Sequence, residues 1–194
     1  METKRIFIAI NLKEELKEYL FSVKHYFILD KLKIKWVEKE NIHLTLKFIG
    51  ETNQKLINLI DEKLKEITSR YPSFEITFSS NIGLFPSLEG INYILPRVIW
   101  VGIEEKNNEI KNLHHLIEKN LSEIGIPKEN KKFSSHITLG RIKYLKDKNE
   151  LINLTRKITI NDYSQKIKTI ELMESKLTPN GPQYNVLNQY FLMK

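Results

Sequence analysis

The stretch NIHLTLKFIG, residues Asn41 to Gly50, sets an imidazole and a hydroxyl two residues apart within an alternating apolar pattern. Side chains alternate across a β-strand, so His43 and Thr45 share one face while Leu44 and Leu46 share the other. The pattern returns in KFSSHITLGR, residues 132–141, where His136-Ile137-Thr138-Leu139 stands 93 residues after His43-Leu44-Thr45-Leu46 (136 − 43). One such tetrapeptide is ordinary on the wet face of a strand. Two of them, using two of only five histidines and lying in opposite halves of a 194-residue chain, point to a shared site.

Each copy offers one His and one Thr to the same space. A histidine can give or take a proton near neutral pH, and a threonine hydroxyl can donate to an anionic oxygen. Two imidazoles flanking two hydroxyls suit in-line displacement at phosphorus. One imidazole deprotonates the attacker, the other protonates the leaving oxygen, and the hydroxyls hold the non-bridging oxygens.

Around these motifs the chain has an ordinary globular composition, 41% apolar and 28% charged, which excludes disordered and fibrous classes. Its length fits one domain or two fused lobes. A net charge of +7 and a pI near 9.3 suit a polyanionic partner. With no cysteine, disulfides, thiolate catalysis and Cys-ligated zinc are excluded. No apolar run is long enough to span a membrane or serve as a signal peptide, so a cytoplasmic protein without membrane association is expected. Neither GxxxxGK, GxGxxG nor HExxH occurs, and no clustered carboxylates suggest a metal pair. The simplest expectation is chemistry without a metal or other cofactor.

The expected elements run in order as follows. RIFIAI, residues 5–10, is a buried strand, and Asn11 with Glu14 has the spacing of a capping box opening a helix through Leu16, Leu20, Val23 and Phe27; His25 is exposed on it. Lys33 to Val37 is a strand, Glu38 to Asn41 a turn, and the first His-Thr strand ends at Gly50. Lys55 to Ile67 is a helix with Leu56, Leu59, Ile60, Leu64 and Ile67 buried. Strands follow at Phe74 to Phe78, Ile91 to Leu95 and Pro96 to Ile103. A third helix opens within Glu104 to Asn108, buries Ile110, Leu113, Ile117, Leu121 and Ile124, and is closed by Gly125. His114 and His115 are adjacent, so they point apart on it and have structural or exposed roles rather than forming a metal pair. After the second His-Thr strand come a short helix from Lys146 and strands at Ile167 to Glu174 and Tyr184 to Leu192, joined by a loop over Lys176 to Gln183.

With both HxTx tetrapeptides (43–46 and 136–139) in view, the chain resembles the 2H phosphoesterase superfamily, and within it the RNA 2′,3′-cyclic phosphodiesterases formerly called 2′-5′ RNA ligases. RIFIAI, KWVEKENIHLTLKFIGE, GLFPS, PRVIWVGI, HITLGR and SKLTPNGPQYNVL carry the likeness along nearly the whole chain. One departure is Ser135, where many members have proline before the histidine. The resemblance implies an α+β fold: a single domain over 1–194 made of two intertwined lobes related by a pseudo-twofold, with antiparallel sheets lining a central cleft and helices outside. It implies opening of a 2′,3′-cyclic phosphate on RNA to a 2′-phosphate, and in reverse a 2′-5′ ligation. By the family's usual assignment His43 is the proton donor and His136 the acceptor, a direction the near-symmetric motifs leave open. Thr45 and Thr138 would bind the phosphate. The partner would be RNA 3′ ends, tRNA fragments among them, and a monomer with no obligate protein partner is expected.

Phe48 and Arg141, each five residues beyond a histidine, match family positions that bracket the terminal base. Strict alternation puts both on the face opposite the histidines, so they serve only if each strand bulges; otherwise Phe48 is core and Arg141 surface. Alternation keeps Lys47 on the histidine face as another cation for the phosphate, with Arg97 a weaker one. Two further readings stand beside this one: the same site acting on 2′-5′ oligonucleotides or cyclic nucleotides, and a non-catalytic basic module that grips RNA.

Overall fold

The computed structural model describes residues 3–86, 95–104, 106–179 and 181–194. Within them the fold is α+β. The strands are β1 (Thr3–Asn11), β2 (Leu32–Trp36), β3 (His43–Asn53), β4 (Phe74–Phe85), β5 (Val98–Glu104), β6 (His136–Leu145), β7 (Ser164–Ile167), β8 (Thr169–Thr178) and β9 (Gly181–Phe191). The helices are α1 (Glu14–Ser22), α2 (Gln54–Thr68), α3 (Glu109–Ser122) and α4 (Lys148–Lys157). None of them is long and apolar enough to cross a membrane.

All strands pair antiparallel, in the order β7-β4-β5-β6-β3-β1-β8-β9, with β2 added to β6. The two halves of this curled sheet meet at one pair, Leu44 with Ile137, residues themselves separated by the repeat distance of 93 (137 − 44). Strands from both halves of the chain build each side. β1 and β3 pair onward to β8 and β9, and β6 and β5 to β4 and β7. Shifting the first half by 93 residues lays β1, α1, β3, α2 and β4 on β5, α3, β6, α4 and β8, with each start within two residues.

The core lies on the sheet face away from the histidines. Ile6, Ile8, Ile10, Leu44, Leu46, Ile99, Val101, Ile137 and Leu139 meet Ile57, Ile60 and Leu64 of α2 and Ile110, Leu113 and Ile117 of α3. In β1 the opposite face is covered as well, since Phe7 and Ala9 pack with Met173 and Tyr184. That two-sided burial explains an apolar run without alternation. Asn53 caps α2 through Leu56 N–H (3.0 Å) and Asp147 caps α4 through Asn149 and Glu150 N–H (2.8 and 3.1 Å), each supplying a side-chain acceptor to an unpaired helix donor. Gly125, at φ +87°, closes α3 as expected, with its N–H on Ser122 O and Ile126 N–H on Leu121 O.

Several expected boundaries move. Asn11 stays in β1, paired with His43, and its side chain accepts from Leu12 N–H. α1 starts at Glu14 without a side-chain cap, because strand pairing holds Asn11 extended and overrides its capping preference. Val23 to Tyr26 form a 3₁₀ turn, with His25 exposed as expected. β3 passes through Gly50, whose φ of +92° accompanies a bulge that leaves Ile49 unpaired between Phe48 and Gly50. On α2, Ile57 is buried and Leu59 exposed. β4 runs on through Gly83 because the Trp100 indole occupies the space of a side chain there: a Cβ on Gly83 would stand 2.2 Å from the ring. β5 likewise runs through Glu104, delaying α3 to Glu109. The loop expected over Lys176 to Gln183 is mostly ladder, pairing Lys176 with Gln183 and Leu177 with Pro182. β9 is an edge strand, where proline's missing N–H is tolerated. The strand expected at Ile91 to Leu95 falls, for 91–94, outside the described residues.

Candidate active site

The two HxTx strands deliver their histidines in the same way. His43 Nδ1 lies 2.8 Å from Asn41 O, and His136 Nδ1 lies 2.8 Å from Ser134 O. A carbonyl can only accept, so each Nδ1 carries the hydrogen and each neutral ring presents Nε2 as its basic atom. Thr45 Oγ1 is 2.9 Å from His43 Nε2 and in that tautomer donates to it. Asn41 and Ser134 are again 93 residues apart (134 − 41), so the repeat extends to the backbone carbonyl that each ring meets. At the departure from the resembled pattern, Ser135 O accepts from Ile103 N–H (3.2 Å), so pairing to β5 steadies the approach to His136.

Aromatic rings wall each imidazole. Phe7 and Tyr184 stand 5.0 and 5.3 Å from His43. Phe85 and Trp100 stand 5.1 and 5.9 Å from His136. Burial pushes the His43 imidazole down to about 4, against the pull of the Asn41 hydrogen bond, with the Lys17 charge adding to the fall. Both histidines and both threonines line a single cavity of about 330 Å³, together with Lys35, Trp36, Arg141, Lys143, Pro182 and Tyr184 among others.

Each motif strand also carries a bulge at the corresponding residue. Ala9 pairs with Thr45 and Ile8 with Lys47, leaving Leu46 unpaired. Trp100 pairs with Thr138 and Ile99 with Gly140, leaving Leu139 unpaired. The inserted residue reverses the parity of the residues that follow, up to the next bulge. Phe48, 45% exposed, and Arg141 thereby return to the histidine side. Arg141 lines the cavity, and the Phe48 ring lies 5.0 Å from the Arg5 guanidinium. The same shift corrects the expectation for Lys47. It is 2% exposed on the core side, paired with the Glu118 carboxylate of α3 and donating to Pro127 O (3.1 Å), so it cannot reach a phosphate in the cavity. Arg97 is exposed and outside the lining. His114 stacks on Phe133 at 4.0 Å, a structural role.

Two strands that each present an imidazole Nε2 and a hydroxyl to one cationic cavity define a phosphoester-cleaving class of protein. The chain belongs to the LigT-like phosphoesterases: the family described as LigT like Phosphoesterase matches residues 10–95 and 101–184. It is 38% identical to the RNA 2′,3′-cyclic phosphodiesterase of Methanocaldococcus jannaschii, covering 96% of this chain and 99% of that one. It is 31% identical to the protein of the same name from Aquifex aeolicus, covering 99% of each. Among solved structures, the fold matches TT0787 of Thermus thermophilus with a TM-score of 0.79 at 24% identity, over 97% of both chains. It matches E. coli LigT complexed with 3′-AMP with a TM-score of 0.75 at 23% identity, over 100% of both.

Proposed function

We propose that the protein hydrolyses 2′,3′-cyclic phosphate ends of RNA to 2′-phosphates by two-histidine acid–base catalysis without a metal. The observation that carries this is the paired presentation of Nε2 by His43 and His136 in one cavity that also holds Thr45 and Thr138. Near-full-length relatives named RNA 2′,3′-cyclic phosphodiesterase support the substrate.

In the proposed step, His136 Nε2 takes a proton from water as its oxygen bonds to phosphorus. The bond from phosphorus to O3′ breaks in line, and His43 Nε2–H donates its proton to O3′. A 2′-phosphate and a 3′-hydroxyl remain. The Thr45 and Thr138 hydroxyls donate to the non-bridging oxygens, where charge builds up in the transition state. Phe48 and Arg141 bracket the terminal base. With a 5′-hydroxyl RNA in place of water, the same displacement would release O3′ and give a 2′-5′ linkage.

The test is incubation of a short RNA ending in a 2′,3′-cyclic phosphate, with EDTA present and the product read by phosphorus NMR. The expected product is the 2′-phosphate alone, at a rate unchanged by EDTA. Loss of turnover in EDTA overturns the metal-free mechanism. RNA binding without turnover of any phosphodiester makes the protein a binding module instead.

A further inference from the structure

The cavity holds more positive charge than one cyclic phosphate can answer. Lys35 of β2 sits directly opposite Arg141 of β6, and like charges facing each other across a ladder destabilise it. Lys143 follows Arg141 on the same wall, and all three line the cavity, whose only carboxylate among the described residues is Glu38. Lys35 reaches across the mouth toward the β8–β9 hairpin, where a Cβ on Gly181 would stand 3.5 Å from its Nζ. Among the described residues, neither these three cations nor Lys33 take part in an ion pair.

The charge continues outward. Lys33 and Lys35 alternate with the half-buried Leu32, Ile34 and Trp36, so both lysines are on the exposed face of β2, about 7 Å apart along the strand. Opposite Lys33 stands Tyr144, 50% exposed. A bulge on β6 leaves Lys143 without a partner between Ile142 and Tyr144 and turns Tyr144 outward beside Lys33. Unpaired cations interleaved with an exposed ring form the surface that single-stranded nucleic acid uses, with phosphates on the cations and a base on the ring.

We infer that the β2–β6 face is a track for the RNA body upstream of the reacting end, with Lys35 and Lys143 at the cavity mouth and Lys33 and Tyr144 beyond it. It rests on the cyclic-phosphate reading and adds to it a preference for oligomers. A mononucleotide 2′,3′-cyclic phosphate carries one negative charge, placed between the histidines. Every further nucleotide adds one phosphate for this wall.

The test compares kcat/KM for a nucleoside 2′,3′-cyclic phosphate and for an RNA octamer with the same cyclic end, in wild type, Lys33→Ser and Tyr144→Ala, across a salt series. Binding of an unreactive octamer ending in a 3′-phosphate is measured alongside. In wild type the octamer is expected to be the better substrate and the more salt-sensitive one. Lys33→Ser should lower the octamer's log–log salt slope by about one. Tyr144→Ala should raise the octamer KM roughly 5-fold or more. Mononucleotide turnover should stay at wild-type level, a readout that a merely structural defect would move. Equal kcat/KM for the two substrates, or variants that lower both alike, overturns the track and leaves the reaction standing. Turnover of neither substrate, with octamer binding still weakened by the variants, overturns the reaction and retains the track.

Discussion

His43 shows how one residue's surroundings bear on its chemistry. Phe7 and Tyr184 pack against the ring and burial depresses its pKa to about 4, so an empty site holds it neutral at pH 7 and protonates it only as the pH falls through about 4. A donor in that state is not ready. An anion beside Nε2 reverses the balance, because opposite charge at hydrogen-bond distance favours the imidazolium. On the proposed mechanism the reacting phosphate thus charges the acid that cleaves it. An NMR titration of the His43 ring is expected to show a midpoint near 4 in the free protein and an upward shift of roughly a unit or more when inorganic phosphate saturates the cavity. A midpoint unmoved by phosphate argues against His43 as donor. The repeated His-Thr pair made both histidines legible in the sequence. The tautomer was not, because it depends on the carbonyls of Asn41 and Ser134, whose backbone positions no residue identity announces.

Strand parity is decided at the scale of the element. Alternation alone assigned Lys47 to the cavity and set Phe48 and Arg141 against it; an unpaired Leu46 and an unpaired Leu139 reversed all three. Bulges have no firm residue signature, so the face each of these residues takes was hidden until the pairing was known. The repeat could have helped, since Phe48 and Arg141 are themselves 93 residues apart (141 − 48) and the same distortion in both copies would serve both. The displaced Lys47 gains a structural task. Its ammonium meets Glu118, which also accepts from Glu129 N–H at 2.9 Å, tying β3 to α3 and to the chain that leads into His136. Lys47→Met leaves that carboxylate buried and unpaired, and urea unfolding is expected to show a loss of about 3 kcal/mol. Lys47→Met with Glu118→Leu should recover much of that loss, since an apolar pair replaces an ion pair at little cost. A single variant as stable as wild type would show that the pair holds nothing together.

At the scale of the whole molecule, neither half of the chain supplies a finished sheet. β1 and β3 depend on β8 and β9, β5 and β6 depend on β4 and β7, and the motif strands touch at Leu44 and Ile137. Much of this was legible: strand and helix order and the separation of the two motifs follow from periodicity and repetition, and the resemblance implied the α+β class. The exchange of strands between halves was not, because pairing between residues as distant as Ile6 and Glu174 leaves no local trace. On the proposed mechanism His43 and His136, held on different halves, act as one unit. The direct measurement is kcat on a cyclic-ended RNA for wild type, His43→Ala, His136→Ala and the double variant, each verified as folded by circular dichroism. Each single variant is expected to lose roughly 10² to 10⁴ in kcat, and the double variant to lose little beyond the worse single one. A single variant within a few-fold of wild type, or a double loss equal to the product of the two, would contradict a shared acid–base pair.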